Sequence, residues 1–546
     1  MRLNNLIFVA FLIVSLSFGC KRAEMPQPPF DWHNATVYFM LTDRFYNADT
    51  SNDVNFGRTA PTKDLRRFKG GDMKGITKKI EEGYFDRLGI DVLWFSPVNE
   101  QIHGYVDEGQ SNTYGFHGYW IRDWTSIEPN FGTEEDLRQL VQVAHQHGIR
   151  VMMDVVINHT GPVTEQDPLW PSDWVRTEPQ CNYQDYENTV FCTLVKNLPD
   201  IRTEQTEEVE VPQALLDKWK KEGRLEKEMK ELDEFFARTG FPRTPRYYLI
   251  KWITDYIRKY GIDGFRVDTV KHTEADVWGD LAGEAAIAFA EWKKNNAEAI
   301  QEDQEFFMLG ETYNYNAGSG KDFDFGDKKV NYFDFGFNSL INFGFKGEAN
   351  QSYEQLFSNY SALLNTGELK DVTFMNYISS HDDSHPYDLK REKTFESANK
   401  LLLSPGQAQI YYGDEVARPL IIEGVQGDVN LRSMMNWEDN THQNLLLHWQ
   451  KLGQFRHRHP AIGAGVHQKI SDSPYFFSRS YNKNGITDNV IIGLDLPFDP
   501  VSVDVSSCFP EARKLRDAYT GKTYKIKNGV VEVVADNGVV LLEEIP

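Results

Sequence analysis

Residues 261–272 read GIDGFRVDTVKH. An apolar run this short is a buried strand, yet it carries Arg266 and Asp268 in its middle and Lys271 and His272 at its exit. Side chains alternate along a strand, so Arg266 and Asp268, at i and i+2, share one face. Burying either charge unpaired would be costly. The two therefore read as partners. A guanidinium beside a carboxylate keeps it ionised, and an ionised carboxylate held rigidly in a pocket is a nucleophile. A structural ion pair at the mouth of a barrel is the competing reading, and this stretch alone does not separate them.

The same kind of run recurs outward in both directions. TVYFML (36–41), DVLWFS (91–96), RVMMDVVIN (150–158), FFMLGE (306–311), YFDFGF (332–337), VTFMNYISS (372–380) and AQIYYGDE (408–415) are strand-like. Helix-periodic stretches at 76–88, 134–147, 247–260, 276–294 and 394–404 fall between them. Eight strands with helices between them predict an α/β fold, a parallel sheet closed as a (β/α)8 TIM barrel. A doubly wound open sheet is the rival, lowered by the lack of a Gly-rich phosphate loop after the first strand. Residues 159–245 interrupt the alternation after strand three and read as a small inserted domain. Its charged helical piece, ALLDKWKKEGRLEKEMKELDEFFA (214–237), is expected to present a solvated face. From 462 to 546 short strands with Gly, Asn and Asp turns predict a C-terminal antiparallel β domain, a sandwich. The barrel then comprises 34–158 and 246–461.

The 546 residues are 40% hydrophobic and 13% aromatic, enough for a sizeable core, and the net charge of −23 argues against a nucleic-acid partner. Residues 1–19 have a basic residue and a short apolar stretch, and Gly19 directly precedes Cys20. This reads as a lipoprotein-type signal peptide, with Cys20 lipidated and 20–33 as a linker. Ordinary secretion and an uncleaved anchor are the alternatives. The expected location is the periplasm or cell surface, with the membrane reached only through the lipid. Cys181 and Cys192 lie close in a polar stretch of an exported chain, where a disulfide is expected. Cys508 is left over as a buried free thiol, and without a CxxC pair no zinc site is indicated.

In a TIM barrel the C-terminal strand ends surround the active site. Here strand three ends DVVINH, strand four GFRVDTVKH, strand five LGE and strand seven YISSHDD. One acid at a strand end is ordinary; four charged ends that converge are not. Apolar surroundings at Glu311 would raise its pKa and suit a general acid. Asp382 follows His381 at the end of strand seven. One ionised and one protonated carboxyl group are what a retaining glycoside hydrolase needs.

Those four segments, in that order and spacing, resemble the signature segments of the α-amylase family of glycoside hydrolases, and LPDI (198–201) resembles its fifth. The likeness runs from about residue 34 onward and is especially marked to the periplasmic α-amylases of Gram-negative bacteria, as in HQHGIRVMMDVVINHTG and YGIDGFRVDTVKH. It implies Asp268 as nucleophile, Glu311 as acid/base and Asp382 as the third carboxylate, which holds sugar hydroxyls. It implies that His159, Arg266 and His381 contact the sugar at the cleavage point, that Tyr119 in FHGYW stacks on that ring beside His117 and Trp120, and that Lys271 and His272 reach the leaving-group side. An aromatic face packs well on the CH face of a sugar. It also implies calcium, held by Asn158, Asp200 and the backbone carbonyl of His272, hard oxygen donors that suit the ion. A second calcium set is Asn47, Asp49, Asn52, Asp53 and Asp72, for which an Asx-rich turn is the alternative.

The function so implied is retaining endo-hydrolysis of α-1,4-glucan by a monomer. Its rivals are a transglycosylase or a cyclodextrin- or pullulan-degrading relative, and a non-catalytic glucan-binding surface protein. The transglycosylases usually carry domains beyond the C-terminal β domain, and only about 85 residues follow the barrel here. Dead relatives lose the carboxylates, and all three stand in this chain.

Overall fold

A computed structural model describes residues 29–299, 304–483 and 485–545. Eight parallel strands close into a barrel in chain order. They are β1 (Thr36–Met40), β2 (Val92–Phe95), β3 (Arg150–Val155), β4 (Gly264–Val267), β5 (Phe307–Gly310), β6 (Ser339–Asn342), β7 (Thr373–Tyr377) and β8 (Gln407–Tyr411). Every strand residue except Arg150 is buried, because the barrel lumen covers one face and the helices the other. That is why the sequence shows continuous apolar runs rather than alternation.

The helices used below are α1 (Met73–Glu81), α2 (Glu134–Gln146), α3 (Gln213–Lys221), α4 (Leu225–Thr239), α5 (Pro245–Tyr260), α6 (Ala275–Asn295), α7 (Tyr353–Asn365), α8 (Thr394–Leu402) and α9 (Gln443–Arg458). Gly261 ends α5 in the left-handed region, φ 79°, where a Cβ would sit 2.2 Å from the Trp292 ring. Only glycine can turn the chain there and bring α5 against α6. Asp263 then locks the entry to β4 by accepting from Val151 N and pairing with His145 Nε2, each at 2.8 Å.

Three local expectations are corrected. YFDFGF is not strand six: Tyr332–Phe335 is a 3-10 turn closed by Gly336, φ 92°, packed so tightly on α6 that a Cβ would meet Ala282 Cβ at 2.4 Å. The true strand, SLIN, has polar ends that are satisfied on its two opposite faces, one toward the lumen and one toward α7. Ser339 Oγ donates to Gln407 Oε1 at 2.6 Å, and Asn342 Nδ2 to Tyr360 OH and Asn376 Oδ1 at 2.8 and 3.0 Å. The helix expected over 76–88 is broken at Gly83, φ 68°, into α1 and a short helix Tyr84–Leu88. Strand three stops at Val155 rather than running to residue 158.

After β3 the chain forms the inserted segment. Trp170 and Trp174 pack edge to face, 5.1 Å between centroids, and Trp174 lies against Tyr248 and Trp252 of α5. The charged helical piece is α3 and α4, separated at Gly223. Lys220, Lys221, Lys227 and Lys230 are exposed as expected, whereas Lys218 and Arg224 turn inward onto buried Asp123 at 2.8 and 2.9 Å.

The C-terminal region contains β9 (Val466–Asp472), β10 (Tyr475–Lys483), β11 (Ile486–Leu494), β12 (Val501–Asp504), β13 (Lys514–Asp517), β14 (Thr523–Lys525), β15 (Val530–Val533) and β16 (Val540–Glu544). A six-stranded sheet runs β9-β10-β11-β16-β13-β14, and β12 pairs with β15. Alternation is explicit here. Phe477, Ile492 and Leu541 join the barrel core, while neighbours Phe476, Ile491, Val540 and Leu542 face a separate core with Val503 and Val531. Among the described residues no helix is long and apolar enough to cross a membrane. Residues 1–19 and Cys20 lie outside the described residues.

Candidate active site

Parallel pairing of β3 with β4 puts Arg266 opposite Asp154. Arg266 is 1% exposed, and its guanidinium meets three carboxylates. Nη1 donates to Asp268 Oδ1 at 2.7 Å and to Asp154 Oδ1 and Oδ2 at 2.9 and 3.2 Å, and Nη2 lies 3.2 Å from Glu311 Oε2. Burial works against its charge, but Asp154, Tyr119, Glu311 and Asp268 outweigh that and hold the arginine well above its usual pKa. Asp154 also accepts from Tyr119 OH at 2.7 Å and Trp94 Nε1 at 3.0 Å. Asp268 and Glu311, expected to act together, thus share one cation.

Glu311 accepts the backbone N–H of Thr269 at 2.8 Å. Thr269 adopts φ 50°, a left-handed conformation costly for a β-branched residue, and this bend follows Asp268 directly. Burial, offset in part by Arg266, together with the charges of Asp268 and Asp382, pushes Glu311 up to about 8. Burial also acts on Asp382, yet His381, Arg266 and Arg432 hold it below the usual carboxylate range. The arginines are the lasting part of that pull, because burial holds His381 down to about 4, neutral at pH 7. Asp382 keeps 35% of its side chain exposed, against 9% for Asp268 and 7% for Glu311.

Tyr119 is half-buried and stacks on His381, 5.0 Å between centroids and 16° between planes. His117 lies beside it, accepts Tyr119 N at 3.1 Å, and takes the Trp120 ring edge-on at 4.7 Å. His159 Nε2 is 3.1 Å from the carbonyl of Tyr119. Burial lowers the pKa of His117 and His159, so these rings serve as neutral hydrogen-bonding groups. On the other side Lys271 Nζ donates to the carbonyl of Tyr313 at 3.2 Å, and His272 Nδ1 to the carbonyl of Thr189 at 2.9 Å. Tyr119, His159, His381 and Lys271 thus stand near the Arg266 cluster, with His117 and Trp120 beside Tyr119 and His272 next to Lys271.

Residues 39–425 match the α-amylase catalytic domain family. The chain belongs to the α-amylase family. It is a glycoside hydrolase of that family. It is 37% identical over 507 residues to the periplasmic α-amylase of Escherichia coli K12, covering 82% of this chain and 70% of that one. It is 28% identical over 460 residues to a cyclomaltodextrin glucanotransferase of Bacillus sp. (strain 6.6.3), of which it spans 57%. An Anoxybacillus α-amylase has the same fold, TM-score 0.66 at 23% identity, covering 95% of this chain and 99% of that one. So does a cyclomaltodextrin glucanotransferase described as having a three-domain ABC distribution, TM-score 0.63 at 21% identity, covering 94% of this chain and 99% of that one. That enzyme's three-domain form is an exception to the expectation that transglycosylases carry further domains.

Calcium is a recurrent companion of the α-amylase family, and the residues expected to hold it fit to different degrees. Asn158 Nδ2 donates to Asp200 Oδ1 at 2.9 Å and to the carbonyl oxygen of His272 at 2.8 Å, so the three residues of the first set meet, with the amide nitrogen rather than Oδ1 between the two oxygens. Arg176 takes the other Asp200 oxygen at 2.7 Å. In the second set Asn47 Oδ1 and Asn52 Oδ1 are buried acceptors without a hydrogen-bond partner, which suits a cation. Asp53 Oδ1 accepts from Asn47 Nδ2 at 2.9 Å. Asp72 caps α1, accepting from Gly75, Ala48 and Asp49 N–H at 2.6, 3.0 and 2.8 Å. Asp49 departs from the expected set: it closes an Asx turn onto Ser51 N at 3.1 Å and pairs with Lys74 at 2.5 Å. No cluster of three or more His, Cys, Asp or Glu capable of holding a metal occurs among the described residues, since both sets lean on amide and carbonyl oxygens.

Cys181 and Cys192 are bonded, and Cys508 is free and buried, as expected. Sequence reasoning missed Asp154, although it opens DVVINH and sits at the alternation step that faces Arg266. It missed Asp383, the second acid of SSHDD, which is buried, accepts from Tyr377 OH at 2.6 Å and pairs with Lys346. Arg432, which donates to the carbonyl of His381 at 2.9 Å, lies in an aperiodic segment and had no sequence signal.

Proposed function

We propose that this chain is an α-amylase that hydrolyses internal α-1,4-glucosidic bonds of starch, glycogen and maltodextrins with retention of configuration. The observation that carries the reading is the single Arg266 guanidinium that bonds Asp268 and faces Glu311, the carboxyl that burial keeps protonated. Asp268 attacks C1 of the sugar while Glu311 gives its proton to the glycosidic oxygen. The C1–O bond breaks, the leaving chain departs with a free hydroxyl, and a covalent glycosyl–enzyme remains. Glu311, now a carboxylate, takes a proton from water as that water attacks C1 and frees Asp268. Asp382 holds the ring hydroxyls of the distorted sugar, Tyr119 packs on its face, and His117, His159, His381, Arg266 and Trp120 fix its orientation. Lys271 and His272 flank the leaving chain.

Calcium, when bound, supplies a fixed positive centre that joins barrel to insert; Asn158, Asp200 and the His272 carbonyl would hold one ion, and Asn47, Asn52, Asp53 and Asp72 a second. Similarity to a periplasmic enzyme supports export. Gly19 before Cys20 is the basis for cleavage after residue 19 and lipidation of Cys20, and the working unit is taken as a monomer at a membrane face. We divide the chain into barrel (34–158, 246–461), insert (159–245) and C-terminal domain (462–546) on the same reading.

Asp268→Asn is expected to lower starch cleavage about 10⁴-fold or more while binding to insoluble starch persists. Near-normal activity in that variant would refute the nucleophile. NMR of maltoheptaose digestion should show the α-anomer first; a β-anomer product would refute retention. Similarity to cyclomaltodextrin glucanotransferases keeps transglycosylation as the second reading. Cyclic products from amylose would favour it.

A further inference from the structure

We propose that the disulfide-closed loop Cys181–Cys192 is a positioning element for the leaving-group half of the cleft. It grips the segment that follows Asp268 at one end and the hairpin that follows Glu311 at the other. The inference rests on the roles proposed above for those two carboxyl groups.

The loop is built to hold a shape. The Cys181 and Cys192 Cα atoms are 5.0 Å apart, and Cys181 N donates to the Thr193 carbonyl at 2.9 Å. Inside it, Asp185 Oδ1 accepts from Asn188 N and Nδ2 at 2.8 Å. Its first grip is the Thr189 carbonyl, which accepts from His272 Nδ1 at 2.9 Å. A carbonyl oxygen can only accept, so Nδ1 carries the proton here, and the contact fixes both the tautomer and the tilt of the imidazole. Its second grip is Tyr186. The backbone N–H donates to Asp327 Oδ1 at 2.9 Å, and the ring meets Phe325 edge-on at 5.1 Å and lies 3.7 Å below Lys328 Nζ. Asp327 and Lys328 form the turn between the paired strands Asp322–Asp324 and Lys329–Asn331.

Between the two grips lies Lys271. Its Nζ is 5.9 Å from the Tyr183 ring of the loop, 5.3 Å from Tyr313, which follows Glu311, and 5.3 Å from Phe323 of the hairpin. Tyr183 and Tyr313 are 54% and 46% exposed, so rings from two chain segments stand ready beside one cation. Val270 N donates to the Glu311 carbonyl at 2.9 Å and Lys271 Nζ to that of Tyr313 at 3.2 Å, which ties the two strand exits together; the loop extends that tie outward to the hairpin. Its loss would leave Asp268, Glu311 and Arg266 in place, because they are tied to β3, β4 and β5, and would loosen only the sugars beyond the cleaved bond.

Two variants test this: Asp327→Ala, an exposed position that leaves the disulfide intact, and Cys181→Ser with Cys192→Ser. Each is assayed on maltoheptaose, which places sugars on the leaving side, and on α-maltotriosyl fluoride, whose leaving group is fluoride. The expected result is a fall of about fivefold in kcat/KM for maltoheptaose, carried by KM, the size of one lost hydrogen bond, with the fluoride unaffected. Equal losses on both substrates, or none on either, would overturn the proposal, since a loop serving stability alone does not distinguish leaving groups. Wild-type protein inert towards both would instead overturn the roles assigned to Asp268 and Glu311.

Discussion

At Glu311 the fold opposes charge. The carboxyl is 6% exposed, and burial with two neighbouring acids pushes it up to about 8. Its folded pKa stands above the unfolded value of 4.5, so the native state binds the extra proton in between. The stabilisation is complete below about 4.5 and is lost as pH rises through about 8. Glu311→Gln, permanently neutral, should therefore melt close to wild type at pH 5 and progressively above it towards pH 8.5, as read by calorimetry. A constant gap across that range would mean that Glu311 ionises freely. The Arg266–Asp268 pair was legible because two opposite charges at i and i+2 can be buried in an apolar strand only as partners. Asp154 was not: alone in VMMDVV it carries no mark of its partner, which arrives from another strand.

At the scale of elements, the barrel strands were legible because burial on both faces leaves continuous apolar runs. Strand six was not, because Ser339 satisfies its polarity across the barrel lumen and Asn342 against Asn376 and Tyr360 of α7, which no local pattern reveals. The aromatic alternation of YFDFGF was packing of a turn on α6 instead. The loops carry the metal question. Asn47 and Asn52 leave buried carbonyl oxygens unpartnered, and Asn158, Asp200 and His272 converge from three segments. An ion that binds only the native state stabilises it by about 2.7 kcal/mol at a hundredfold excess over its Kd. Chelation should lower Tm and restored calcium should reverse it, with Asn158→Ala and Asn52→Ala each removing part of the response. Identical melting curves with and without chelator would remove calcium from both places.

Across the whole molecule, His459 joins the barrel to the C-terminal sheet. Nδ1 lies 2.8 Å from Asp488 Oδ1 and Nε2 2.7 Å from Glu543 Oε2, and two carboxylate partners require both nitrogens to carry protons. Burial lowers its pKa, but Asp488 and Glu543 outweigh that and raise it above the usual 6.5. The stabilisation is complete below about 6.5 and fades as pH rises through the higher folded value. His459→Gln should therefore cost about 2 kcal/mol or more at pH 6 and much less at pH 9, measured by urea unfolding. An equal loss at both would make the contact one of shape rather than charge. The sequence by itself determined the strand and helix alternation, the identity of the acids at the strand ends and the family, because each is written in local periodicity or in a contiguous motif. Tertiary structure alone decided that one guanidinium serves three carboxylates, that Arg432 attends Asp382, and which buried amide oxygens lack a hydrogen-bond partner. Those facts are distances between segments far apart in the chain, and only closure of the barrel sets them.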